Sequence, residues 1–321
     1  MQDTECRGCG FRTEQIDDIL DLRTDKSYDT LLDTESYDAY HGIEGEADEG
    51  VFATYRSLME QIGIRPQGDV LEIACGSGKL TASMLATGCF ASIHCGDISP
   101  EFMRIMARRI GGIKTPTCVE KYLFDANRLP FVDQSFDFVF GNSVLHHLAE
   151  FEKTIEDAFR VLKPGGAAMF GEPLFDSHAM VSLAAGLIAR SPNALEIEGM
   201  TRQHLMALKT IQNRLGRKLD ALYGDRTALR DVEDKFIFPA KLLRDLGDTI
   251  GYSRVVISGA GPKFKLGSAA KTRIYRIVER VGLSTRPLDA FSHVFDALNT
   301  DYGVPMQDFI HPVFAHIAFI R

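Results

Sequence analysis

Between residues 51 and 174 the chain alternates short apolar runs with amphipathic stretches. Val51 to Met59 has helical spacing, and Val70-Leu71-Glu72-Ile73-Ala74 reads as a strand. Leu80 to Leu85 predicts a helix, Ser92 to Gly96 a short strand, and Phe102, Met103, Ile105 and Met106 a further helix. Cys118 to Phe124 is weakly strand-like, Phe136 to Phe140 is a strand with few polar residues, and Phe151 to Leu162 is an amphipathic helix. Lys163-Pro164-Gly165-Gly166 stops that helix with a turn before the strand Ala167 to Gly171. Strands and helices alternating across short links fold as βαβ crossovers with a parallel sheet. Strands this apolar are covered on both faces.

The pattern changes outside this block. Residues 1–50 are polar and acidic, with aromatics at Tyr28 and from Tyr37 to His41, and read as an N-terminal segment or flap. The core is expected over 51–174, with a helical, charged insertion at 175–235. Residues 236–259 add a helix (Phe238 to Ile250) and a strand (Arg254 to Ser258). Residues 260–311 are again mostly helical, and 312–321 close with the strand Ala315 to Ile320.

A chain of 321 residues with 45% hydrophobic positions can bury one large α/β domain with insertions. The net charge of −8 argues against nucleic acid as a partner, because phosphates demand a basic face. No stretch approaches the ~18 continuous apolar residues that cross a bilayer. The best, Met180 to Ala189, is too short, and Met1 to Phe11 has no apolar core. A cytoplasmic location without a membrane partner is expected. The six cysteines then favour free thiols over disulfides. Cys6-Arg7-Gly8-Cys9-Gly10 looks like half of a zinc ribbon, but no second Cys-x-x-Cys follows and His41 is the one histidine nearby. Four ligands are needed, so no metal is expected.

The densest chemistry lies at Glu72-Ile73-Ala74-Cys75-Gly76-Ser77-Gly78-Lys79-Leu80, where a buried strand ends and a helix starts. Glycines there let backbone approach a ligand, which in open α/β sheets sits at strand carboxyl ends. A Walker loop requires Ser or Thr after Gly-Lys, and Leu80 stands there. A dinucleotide fingerprint requires a third glycine, where this chain has Thr81. The segment resembles instead the first motif of class I S-adenosylmethionine-dependent methyltransferases, acidic-x-Gly-x-Gly-x-Gly. Glu72 fits its acid, Gly76 and Gly78 its last two glycines, and Ala74 replaces the first. Further segments follow in order. They are Cys95-Gly96-Asp97-Ile98-Ser99-Pro100, Phe124-Asp125-Ala126-Asn127, Phe136 to Leu148, and Arg160-Val161-Leu162-Lys163-Pro164-Gly165-Gly166. The resemblance covers about residues 68 to 173 and is of the quinone and secondary-metabolite type.

The resemblance implies a Rossmann-like, seven-stranded, mostly parallel sheet with helices on both faces, here with a helical lid from the two insertions. It implies S-adenosyl-L-methionine as cofactor, with Glu72, Ala74, Gly76 and Gly78 around it. Asp97 would accept both ribose hydroxyls with its two oxygens, beside Ile98. Asp125 would meet the adenine amino group beside Ala126. Asn142 and Ser143 would line the methionine end, and Tyr40 would close over the cofactor from the N-terminal segment.

Methyl transfer from a sulfonium is an in-line displacement, so the protein chiefly positions the nucleophile and excludes water. A base is needed when the acceptor must lose a proton. His147, His146 and Glu172, at the ends of the fourth and fifth strands, are the catalytic candidates, with His178 beyond. Asp137, Arg160 and Lys163 read as structural charges. The insertions carry Phe175, Met180, Leu183, Leu187, Met200, Leu205, Met206, Tyr223, Phe291, Phe295 and Tyr302. These predict a lid over a small, largely apolar or aromatic acceptor; the alternative is that they pack helices against each other or form a homodimer face. A non-methylating reaction on the same cofactor, or a non-catalytic partner subunit, are the rival functions.

Overall fold

The computed structural model describes residues 4–5, 12–26, 50–226, 229, 232–258, 265–303 and 311–321. Cys6, Cys9, Tyr28 and the Tyr37 to His41 cluster, with Tyr40, lie outside the described residues. In chain order the first elements are strands β1 (Thr4–Glu5), β2 (Arg12–Ile16) and β3 (Ile19–Asp21). Next come α1 (Gly50–Ile62), β4 (Asp69–Ile73), α2 (Lys79–Thr87), β5 (Ser92–Asp97), α3 (Pro100–Ile110), β6 (Cys118–Leu123), β7 (Phe136–Asn142), α4 (Phe151–Val161) and β8 (Leu162–Pro173). The rest comprises α5 (Phe175–Ala189), α6 (Arg202–Tyr223), α7 (Ala240–Ile250), β9 (Arg254–Ile257), α8 (Leu266–Arg280), α9 (Ser292–Ala297) and β10 (Phe314–Ile320).

Local sequence explains the helix starts that matter for the site. Helix α3 begins at Pro100, with the Ser99 side chain accepting from the Phe102 N–H. Glu101 in its first turn and Arg108 and Arg109 in its last complement the helix dipole. Helix α2 begins after Gly78 at φ 78°, a left-handed turn that glycine adopts without strain.

The sheet order is β1-β2-β3-β6-β5-β4-β7-β8-β10-β9. Neighbours from β3 to β8 run parallel, and β10 is antiparallel to both β8 and β9. The stretch from β6 to β9 is the predicted seven-stranded Rossmann-like core. The N-terminal segment corrects the strand count: it adds three strands, and β3 extends the sheet beside β6. Thus residues 12–21 form part of the sheet. Arg12-Thr13-Glu14-Gln15-Ile16 is too polar to announce a strand, and it pairs near the edge of the sheet between β1 and β3. Arg23 follows β3, pairs with the buried Asp21 at 2.9 Å, and donates to the Ile98 carbonyl at 3.1 Å. The segment thereby props the loop after β5.

Each face of the sheet carries its own apolar layer. Ile73, Val139, Phe151, Ile155 and Phe170 belong to one, and Phe52, Val70, Ile93, Met106 and Phe140 to the other. The lid helices have a third cluster, with Val181, Ile188, Leu208, Leu266, Ile274, Phe291 and Phe295. Phe291 and Phe295 are therefore spent inside the lid, while Leu187, Met206 and Tyr223 stand exposed. Among the described residues no helix is long and apolar enough to cross a membrane.

Candidate active site

A cavity of about 470 Å³ opens at the carboxyl ends of β4, β5 and β7, where open α/β sheets bind ligands. Its sheet-side lining includes Glu72, Ala74, Gly76, Asp97, Ile98, Asp125, Ala126, Asn142 and Ser143. Nearly every described residue expected to meet a cofactor is thus gathered around one space. Gly78 is the exception and packs behind the loop.

The loop geometry explains its residue types. Ala74, Gly76 and Gly78 all have positive φ, at 47°, 53° and 78°. A side chain built at Gly76 would meet nothing within 4 Å, so the backbone there borders open cavity. One built at Gly78 would strike Met106 Cγ at 2.4 Å, so that glycine is required by the approach of α3. The Asp97 carboxylate accepts from the Gly76 N–H at 2.9 Å and the Ser99 N–H at 3.0 Å, locking the loops after β4 and β5 together. Arg109 supports the loop from α3, donating to Ser77 Oγ at 2.8 Å. Glu72 accepts from the Thr81 hydroxyl at 2.6 Å. Burial pushes its carboxyl up to about 8, despite that hydrogen bond. Asp125 accepts from the Asn127 backbone at 2.9 Å, which turns the chain after β6. Asn142 Oδ1 lies 3.1 Å from the Tyr55 hydroxyl, and Ser143 adopts φ 60° as the chain leaves β7.

The histidine pair sits on a short turn, Leu145–His147, directly after β7. Glu172, at the end of β8 and fully buried, accepts from the backbone N–H groups of Val144, Leu145 and His146 at 2.9, 2.7 and 3.3 Å. It also holds His146 Nδ1 at 2.6 Å. Glu172 does not line the cavity. Its geometry is that of a group that positions His146, not of one that touches a substrate.

The two imidazoles differ sharply in charge. Burial by itself would lower the His146 pKa, but Glu172 and Asp234 outweigh it and raise it to about 9. His146 Nε2 is 3.5 Å from Asp234 Oδ1. His147 is lowered to about 4 by burial and by the neighbouring His146 charge. Its Nδ1 lies 3.0 Å from the Glu233 carbonyl, which fixes Nδ1 as the protonated nitrogen and leaves the Nε2 lone pair. His146, His147 and Asp234 offer atoms within 4.8 Å of one another, the one grouping among the described residues compact enough for a metal ion. The hydrogen bonds already made by both rings account for their placement without one.

The opposite wall comes from the lid. His178 on α5, Lys218 on α6, Arg273 on α8 and the segment Glu233-Asp234-Lys235 line it. This segment is tied down by the Lys235 N–H, which donates to the His146 carbonyl at 2.8 Å. None of these except His178 was legible as a site residue. The apolar lining comes from elsewhere than the predicted lid aromatics: Leu80, Phe102, Phe124, Val144, Leu148 and Phe314.

Strand order and a glycine loop at the strand ends define a Rossmann-like domain. A model described as a methyltransferase domain matches residues 71–170. The chain is 30% identical over 112 residues to a malonyl-[acyl-carrier protein] O-methyltransferase of Halorhodospira halophila, covering 35% of this chain and 37% of that protein. It is 29% identical over 136 residues to a demethylmenaquinone methyltransferase of Symbiobacterium thermophilum, covering 41% and 52%. A ubiquinone/menaquinone biosynthesis C-methyltransferase of Pasteurella multocida is 26% identical over 188 residues, covering 52% and 70%. The chain thus spans about half, or less, of the first two relatives' length.

Proposed function

We propose that this chain transfers the methyl group of S-adenosylmethionine to a small-molecule acceptor held between the histidine turn and the lid. The observation that carries this reading is a single cavity lined by the glycine loop, Asp97 and Asp125 on one side and two imidazoles on the other. The demethylmenaquinone methyltransferase name of one relative supports a small-molecule acceptor, as does the net charge of −8, which disfavours nucleic acid.

The residues present fit the cofactor. Open space over Gly76 admits it against bare backbone, and Asp97 and Asp125 stand where its ribose and adenine would be recognised. When bound, the sulfonium supplies an already activated methyl group. The chain's own part is to orient the acceptor, exclude water and take up a proton. His147 is neutral at pH 7, with its Nε2 lone pair set by the Glu233 carbonyl. A base this weak suffices, because an oxygen or nitrogen gaining a methyl becomes a far stronger acid than the free acceptor. His146, charged between Glu172 and Asp234, holds the turn and the segment above it.

The test uses S-adenosylmethionine labelled in its methyl group and fractionated small-molecule extracts. Label transfer with formation of S-adenosylhomocysteine is expected in at least one fraction; cofactor binding with neither, in every fraction, would sink the proposal. His147→Ala should then lower turnover by about 10²–10⁴ while S-adenosylhomocysteine affinity stays within threefold. Turnover unchanged within a few-fold would leave positioning as the whole of the mechanism.

A further inference from the structure

Two cationic side chains of the lid, Lys218 on α6 and Arg273 on α8, converge on the cavity from separate helices. His178 on α5 lines it beside them as a neutral imidazole, its pKa lowered by burial to about 4. Arg214 stands one turn before Lys218 on α6, and Arg276 and Arg280 follow Arg273 along α8. Burial, with these neighbouring cations, holds both Lys218 and Arg273 below their ordinary pKa values.

The acids facing this wall are few. Asp234 lies 3.5 Å from Lys218 Nζ and also 3.5 Å from His146 Nε2, so one carboxylate is shared between two cations. Glu233 borders the same space, and burial and the Asp234 charge raise its pKa. Among the described residues no hydrogen bond or ion pair is made to the Arg273 guanidinium, though it bounds a cavity. Arg273 is exposed and Lys218 half-buried, so an incoming anion can reach both cations. A guanidinium presents a planar fork that matches two oxygens of a carboxylate or phosphate, and a lysine adds a point charge.

We infer that the lid wall binds an oxyanionic group of the acceptor, with Arg273 and Lys218 as its ligands. This names the acceptor class of the methyl-transfer reading and rests on it for what carries the anion. The acceptor has an apolar body against Phe102, Leu148 and Phe314 and a charged end at the lid. The oxyanion is a carboxylate or a phosphate, and the cofactor's own carboxylate is a rival source of the same chemistry.

The full-length chain, saturated with S-adenosylhomocysteine, is titrated by calorimetry with inorganic phosphate and separately with benzoate. At least one should bind in the millimolar range, and the tighter of the two gives the class of oxyanion. Arg273→Met and Lys218→Met should each raise that anion's Kd at least tenfold, with S-adenosylhomocysteine affinity unchanged within twofold and melting temperature kept. Two variants guard against one failing to fold. Binding of neither anion, or binding indifferent to both substitutions, overturns the assignment. So does a loss confined to S-adenosylhomocysteine affinity, which would give the wall to the cofactor's carboxylate. The same titration without cofactor separates the two readings. A chain that binds the anion at Arg273 but never S-adenosylhomocysteine keeps this site and loses the methyl-transfer function.

Discussion

On the sheet side of the cavity, Glu72, Gly76, Asp97, Asp125 and Asn142 each lie within three residues of a strand end. On the lid side, His178, Lys218, Asp234 and Arg273 come from three helices and a connecting segment, spread over almost a hundred positions. The first wall is made largely of backbone and of carboxylates that hold backbone. The second is made of long charged side chains projecting from helices whose apolar residues pack with one another. In the proposed methyl transfer, a common donor is met by the fixed wall, and a varying acceptor by the wall that can change one side chain at a time. The histidine turn joins the two, fixed from below by Glu172 and from above by Lys235.

That junction carries the largest expected effect. Glu172→Gln removes a buried charge that satisfies three backbone N–H groups and one imidazole. Breaking such a network costs about 3–5 kcal/mol. Urea unfolding should show the loss, and NMR titration should show the His146 pKa falling from its raised value. A variant as stable as the parent would mean that the turn is held by the lid alone.

The sheet-side wall has its own buried acid, and pH exposes it. Glu72 titrates near 8 in the fold, against 4.5 in an open chain. Between those values the folded chain binds more protons than the unfolded one. Stability from this group is therefore fully present below pH 4.5 and is lost as pH rises toward 8, on the order of 5 kcal/mol in all. Glu72→Gln should flatten that part of the curve and stabilise the chain at pH 8. A curve of unchanged slope would show that the carboxyl is ionised in the fold.

Asp97→Ala tests whether the donor wall acts through its carboxylates. Loss of charge-assisted hydrogen bonds should weaken S-adenosylhomocysteine binding by about 1.5–3 kcal/mol. Calorimetry showing equal affinity would confine Asp97 to holding Gly76 and Ser99.

The same contrast decides what could be read from the chain. Strand-end residues announce themselves, since Val70 to Ile73 is apolar and Gly76 and Gly78 follow at once. The seven core strands were legible for this reason, and so was the set Glu72, Asp97, Asp125. The hairpin of β2 and β3 was not, because Arg12 to Ile16 shows no clear alternation. Lys218 and Arg273 were hidden for a different reason: a lysine or arginine on a charged helix looks the same whether it faces water or a cavity. Phe291 and Phe295 follow the packing alternative, because an aromatic in an insertion fills the insertion's own core as readily as a ligand site. Glu172 was found as a residue but not in its role, since no sequence pattern shows that its oxygens face backbone N–H groups.

The smallest expected effect concerns Ala74, the one departure from the glycine pattern. Its φ of 47° lies in the left-handed region, where an alanine Cβ is strained by about 1–2 kcal/mol. Glycine removes that strain but adds roughly 0.5–1 kcal/mol of chain entropy to the unfolded state. Ala74→Gly should therefore leave stability unchanged or raise it by up to about 1 kcal/mol. The opposing term is packing, because Ala74 is partly buried against the layer containing Ile73 and Phe124. Thermal unfolding measures the balance directly. A loss of stability would mean that the methyl group packs well enough to outweigh its strain, making alanine a fitted choice here. A gain, with S-adenosylhomocysteine affinity unchanged, would mean that the donor wall tolerates a strained alanine at the first glycine position because its ligand-facing work is done by Gly76 and the carboxylates around it.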